Sequence, residues 1–155
     1  MHGPFDSRHE LIALVDEVHR LGGRLKSVFA EARRAVDLGE SELMVLNAVV
    51  EAQRAPTVSQ IGRSLGQPRQ IVQRAANALV DAGLIGTEAN PDHKRAPLLV
   101  PTDTGTALKR QADGQADTIA AALSDGLDAA SVRAATLALR TFRKELEAQL
   151  RKGDN

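Results

Sequence analysis

The chain has 155 residues, 43% of them hydrophobic, with no cysteine, tryptophan or tyrosine and a formal net charge of zero. That length fits one compact domain or two small ones sharing a core. The missing thiols exclude a disulfide framework, thiolate zinc sites and any cysteine-based catalyst or redox trigger. No apolar run approaches the ~18 residues of a membrane span, and residues 1–10 lack an apolar signal core, so a cytoplasmic protein without membrane attachment is expected.

Residues 9–38 read as one long helix. Leu11, Leu14, Val18, Leu21, Leu25, Val28 and Ala32 recur at alternating spacings of three and four, the seam of a helix packed lengthwise on a partner. Gly22 and Gly23 lower its propensity by roughly 1 kcal/mol each relative to alanine, which predicts a bend or a close backbone approach. Residues 41–53 form a second helix, apolar around most of its circumference and therefore central, that stops ahead of Pro56. Thr57 and Gln60 make a Thr-x-x-Gln capping box that opens a short third helix through Leu65. Gly66 ends that helix, and Pro68 suits the first turn of a fourth, where a missing N–H costs nothing. The buried stripe of the fourth helix is expected at Ile71, Ala75, Ala78, Leu79 and Ala82, with Gly83 as its stop.

Beyond Leu84 the periodicity changes. Two short extended stretches, residues 84–89 and 96–102, flank Asn-Pro-Asp-His-Lys-Arg at 90–95, a small hairpin with a basic tip. Pro97 and Pro101 keep its second strand short or at an edge. Helix then resumes, from a cap at Thr102 to about Ser124. After a break with Asp128 as cap, a sixth helix runs to about Arg151. Val132, Ala135, Leu139, Phe142, Leu146 and Leu150 again follow three/four spacing. Two seam-bearing helices at opposite ends of the chain exceed what a lone protomer would cover. Residues 1–38 and 103–155 are therefore read as a discontinuous helical dimerisation unit of a homodimer, around a separate domain at 39–102. An intramolecular bundle is the alternative.

The neutral total hides a dipolar layout. Between Arg54 and Arg95 lie six basic residues and three acidic ones, so the middle is positive and the remainder negative by the same amount. The third and fourth helices with their Leu-Gly-Gln-Pro connection form a helix-turn-helix candidate, whose second helix would enter the major groove of double-stranded DNA. Its polar side carries Arg69, Gln70, Gln73, Arg74 and Asn77. Arginine pairs bidentately with guanine, and glutamine or asparagine with adenine, so these are the side chains that base edges require. The hydroxyls of Thr57 and Ser59 at a helix N-terminus suit phosphate oxygens. Arg63 fits either a phosphate contact or an ordinary surface position. Lys94 and Arg95, with His93 beside them, would reach backbone or minor groove from the hairpin tip.

The stretch from Thr57 to Gly105 resembles the winged helix-turn-helix core of the MarR family of bacterial transcriptional regulators. The features that carry the likeness are Gly-Leu-Ile before the hairpin, the wing at 90–102, and the Thr-x-x-Gly at Thr102 and Gly105. The flanking helices match that family's dimerisation layout, so the resemblance covers nearly the whole chain. It implies a mainly α fold with a small β-hairpin wing, and a winged helix-turn-helix core flanked by long N- and C-terminal dimerisation helices. It further implies a sequence-specific regulator, a repressor, acting as a homodimer on a pseudo-palindromic operator. Members commonly release DNA on binding small, often aromatic or anionic effectors, and the residues that would hold one here are unknown. Many family wings read Asp-Pro-x-Asp-Arg-Arg-Ala, the second Asp buttressing the second Arg. Here His93 stands where that second Asp is usual and Asp92 comes one residue early, so the minor-groove role carries to Arg95 while its usual support does not.

Other chemistries find little footing. His2, His9, His19 and His93 are scattered and lack a completing ligand set, so no metal and no cofactor is expected. No Gly-rich phosphate loop, nucleophile–base pair or convergent carboxylate set marks an enzyme. The rival reading from another class is a helical dimerisation or adaptor protein that binds partners through its seams without DNA.

Overall fold

The chain is described here by a computed structural model over residues 7–153. Its elements follow in the order α1 (Ser7–Val28), α2 (Ala30–Arg34), α3 (Glu40–Glu51), α4 (Val58–Leu65), α5 (Arg69–Asp81), β1 (Ile85–Glu88), β2 (Leu98–Pro101), α6 (Asp103–Ser124) and α7 (Ala129–Gly153). The architecture is mainly α with one antiparallel hairpin, a winged helix-turn-helix. The chain divides into two compact units, Met1–Ala116 and Asp117–Asn155.

The core lies in the first unit. Val45, Leu46 and Val49 of α3 pack with Val58 and Ile61 of α4, with Val72, Ala75, Ala76 and Leu79 of α5, and with Leu84, Ile85 and Leu99 around the hairpin. With so few aromatics, aliphatic side chains fill this space, and the paired alanines of α5 permit close approach to α3. Local chemistry sets the boundaries. The Thr57 side chain accepts from the Gln60 N–H at 3.2 Å while Gln60 Oε1 accepts from the Thr57 N–H at 2.9 Å, the reciprocal capping box expected. Gly66 ends α4 at φ 63°, the left-handed conformation that glycine adopts without a Cβ penalty. Replacing Thr57 by alanine should therefore cost about 1 kcal/mol of stability, read as a lower urea midpoint at unchanged m-value.

The hairpin pairs Ile85 with Pro101 through to Glu88 with Leu98. The Leu99 N–H also donates to the Pro56 carbonyl at 2.8 Å, which ties the segment ahead of α4 to the base of the wing. Thr102 joins hairpin to helix, its hydroxyl donating to the Gly83 carbonyl at 2.7 Å and accepting from the Gly105 N–H at 3.0 Å. One turn further, Lys109 is almost fully buried between Glu51 at the end of α3 (3.1 Å) and Asp113 (2.5 Å). Burial works against its charge, but the two carboxylates outweigh it and hold Lys109 above the ordinary lysine value.

Four expectations need correction. Residues 9–38 are not one helix. α1 stops at Val28, Phe29 takes φ −90° and ψ 9°, and after α2 the chain turns through Asp37 at φ 53°. The break brings Ala32 and Val36 into the buried set, whereas Val28, which an unbroken helix would align with Ala32, stays exposed. Gly22 and Gly23 lie inside unbroken helix instead, with no neighbouring atom within 4 Å of either added Cβ. Pro68 sits at the N-cap of α5 rather than inside its first turn, its carbonyl accepting from the Ile71 and Val72 N–H groups. The buried stripe of α5 is Val72, Ala75, Ala76 and Leu79, while Ile71, Ala78 and Ala82 are exposed.

In the second unit, Asp128 caps α7 as expected. Its carboxylate accepts from the Ser131 hydroxyl at 2.6 Å and from the Ser131 N–H at 3.1 Å, which holds it below the usual aspartate value. No residue of α7 is buried. Among the described residues, no helix is long and apolar enough to cross a membrane.

Candidate nucleic-acid interface

α5 is aimed by its burial. With 3.6 residues per turn, fixing Val72, Ala76 and Leu79 against the core turns Gln70, Arg74, Asn77 and Asp81 directly outward, with Gln73 on the flank of that face. All of these are exposed. Arg69, one turn before Gln73, lies on the same flank and lines the cleft beside α4. Among the described residues, neither Arg69 nor Arg74 has a carboxylate within ion-pairing distance. Gln73 Nε2 donates to Asn77 Oδ1 at 2.9 Å, so Asn77 belongs to this outward face and does not turn back onto α4.

Beside it opens a broad cleft of about 1470 Å³ between the end of α3, α4, the start of α5 and the wing. It gathers Thr57, Ser59, Arg63, Arg69, His93 and Arg95 from the residues singled out in the sequence, and adds Arg54. Gln70, Gln73, Arg74, Asn77 and Lys94 do not line it. They stand on the outward face of α5 and at the wing tip. Thr57 is buried and its side-chain oxygen is engaged in the α4 cap, Ser59 is half-buried, and His93, Lys94 and Arg95 are exposed. Glu51 and Asp92 also reach the cleft, so its charge is mixed with arginine in excess.

The wing is held by an amide. Asn90 Nδ2 donates to the Ala96 carbonyl at 2.8 Å, and Asn90 Oδ1 accepts from the Asp92 N–H at 3.0 Å, an Asx turn that closes the loop across its neck. Turn bonds from the His93 N–H to Asn90 and from the Ala96 N–H to His93 complete it. Arg95 has no carboxylate within ion-pairing distance among the described residues. With no acid at position 93, the wing loop is closed by Asn90 bonding to its backbone. Asn90 was passed over in the sequence, where only its Asn-Pro-Asp turn signal was visible. Arg54, counted in the sequence only toward the basic middle, lies outside the helix-turn-helix and joins the cleft only through folding.

Histidines show no such convergence. Among the described residues no three His, Asp or Glu side chains are grouped to hold a metal ion, and His2 lies outside those residues. His19 Nδ1 instead lies 3.0 Å from the Val15 carbonyl of its own helix.

Comparisons with known proteins agree with this layout. A sequence model described as MarR family matches residues 36–96, which spans α3, the helix-turn-helix, β1 and the loop of the wing. An uncharacterized protein of Mycobacterium tuberculosis is 34% identical over 140 residues, covering 90% of this chain and 96% of its own. A mutant MarR from E. coli complexed with operator DNA superposes with a TM-score of 0.75 at 21% identity, over 91% of this chain and 99% of that one. Bordetella bronchiseptica BpsR, from a structure concerned with regulation of its DNA binding by 6-hydroxynicotinic acid, gives 0.73 at 21% identity over 84% and 98%. The family match takes in the helix-turn-helix and the first half of the wing, and the chain belongs to the MarR family of transcription regulators.

Proposed function

We propose that the protein is a homodimeric repressor that binds a pseudo-palindromic operator in double-stranded DNA, inserting α5 into the major groove and the wing into the flanking minor groove. The observation that carries this reading is the outward face of α5, a row of donor-rich side chains set beside an arginine-lined cleft and an exposed basic wing tip. Gln70, Gln73 and Arg74 address base edges, and Asn77 lies on the same face. Arg69, Ser59 and the α4 N-terminus capped by Thr57 face phosphates, and His93, Lys94 and Arg95 act from the wing.

Dimerisation is supported by the exposed seams. Leu11, Ile12, Val15, Val18, Leu21, Leu25 and Val28 of α1 are all at the surface, as are Val132, Leu137, Leu139, Leu146 and Leu150 of α7. Exposed apolar side chains in such number on each helix mark association surfaces. Residues 1–38 and 103–155 serve as the dimerisation unit and 39–102 as the DNA-binding domain, in a cytoplasmic protein. Release by a small-molecule effector is supported by BpsR, whose DNA binding is regulated by 6-hydroxynicotinic acid.

Selection of bound fragments from genomic DNA, followed by affinity measurements on the selected and a random duplex over a salt series, tests the whole reading. The expected result is a pseudo-palindrome with half-sites about 10 bp apart. Log affinity should fall against log salt by about 0.9 for each phosphate neutralised. A slope near zero on both duplexes would overturn it.

A further inference from the structure

We propose that Gln73 is the residue of α5 that reads an adenine in each half-site, and that Asn77 is the positioning residue that sets its amide. The assignment rests on the DNA-binding reading above. A solvated glutamine has three rotatable torsions and a terminal amide that can face either way, so by itself it specifies little. Here the Gln73 Nε2 hydrogen bond to Asn77 Oδ1, 2.9 Å across one helical turn, favours one orientation of that amide.

What remains free after that bond decides the preference. It uses one of the two Gln73 N–H groups and leaves Oε1 and the second N–H, one acceptor and one donor. Adenine offers the complement in the major groove, a donor at N6 beside an acceptor at N7. Guanine offers two acceptors, so Gln73 Oε1 would face guanine O6 with no proton between them. Arg74, next on the helix and without a carboxylate partner among the described residues, has the two parallel donors that guanine requires. Asn77 itself turns its carbonyl toward Gln73. Gln73 also stands one turn nearer the end of α5 that leads into the groove.

The test uses the full-length protein and a duplex from genomic selection, with every base pair of one half-site changed in turn and affinities measured for wild type, Gln73→Ala, Asn77→Ala and Asn77→Asp. Wild type should prefer A·T at one position by about 10-fold or more, and Gln73→Ala should abolish the preference there and nowhere else. Asn77→Ala should reduce it to about 3-fold or less at that same position. Its salt slope and thermal midpoint should stay at wild-type values, because the side chain is exposed. Asn77→Asp keeps the acceptor and should keep the A·T preference, at lower affinity for every duplex. The assignment is overturned if Gln73→Ala affects a G·C position or none, or if Asn77→Ala leaves the A·T preference intact. Salt-independent binding by wild type would instead overturn the DNA reading, and this assignment with it.

Discussion

Gly105→Ala is expected to destabilise the protein by about 3 kcal/mol or more, well above the 1 kcal/mol typical of a point substitution. Gly105 lies in the first turn of α6 directly against the chain at Leu84. A Cβ there would penetrate the Leu84 carbonyl oxygen and sit 2.8 Å from its carbon. Two effects oppose each other. Alanine raises helix propensity by about 1 kcal/mol over glycine. Against that, the obstructing atoms are backbone, so no rotamer change can clear them. Moving Leu84 would also strain the bond that its carbonyl accepts from the Thr102 N–H at 3.2 Å. Leu84 and Ile85 are both in the core, so the displacement would propagate there. The clash wins by this reckoning. For a chain of this length it should lower the thermal midpoint by roughly 10 °C. A midpoint within about 2 °C of wild type would show that the junction can yield.

Arg74→Ala should have the largest effect on DNA recognition while leaving the fold intact. The side chain is exposed at the centre of the outward face of α5, so its removal should change stability by no more than about 0.5 kcal/mol. A good bidentate base contact is worth about 1–3 kcal/mol. A dimer that engages two half-sites loses it twice, so specific affinity should fall at least about 30-fold while affinity for random duplex barely moves. Lys94→Ala supplies the contrast. A phosphate contact from the wing tip carries no sequence information, so specific and random binding should weaken together and the salt slope should flatten. Equal losses on all sequences for Arg74→Ala would remove it from the base-reading set.

Much of the architecture was legible because its determinants act over three or four residues. The capping box of Thr57 and Gln60, the Thr102 bond to Gly105 and the Asp128 cap each pair a side chain with backbone three residues away, and Gly66 supplies a left-handed stop. The basic character of the middle and the order of helix, turn, helix and hairpin follow from the same local grammar. The phase of α5 does not. Ile71 and Val72 are adjacent and both apolar, yet one residue is 100° of helix rotation, and choosing Val72 as the buried one turns the whole polar set. That choice belongs to α3, against which α5 packs through Val72, Ala75, Ala76 and Leu79.

The wing shows the same division. Its turn residues were plain in the sequence, and so was the missing acid at His93. That Asn90 closes the loop onto the Ala96 carbonyl became visible only when the backbone returned six residues later. The sequence by itself therefore determined the elements, their caps and the sign of the charge on the reading head, because these depend on neighbours a turn or less away. Tertiary structure decided which way α5 faces, where α1 breaks and how the wing is held. Those outcomes rest on contacts between segments distant along the chain, whose competing local preferences are nearly equal until packing selects one.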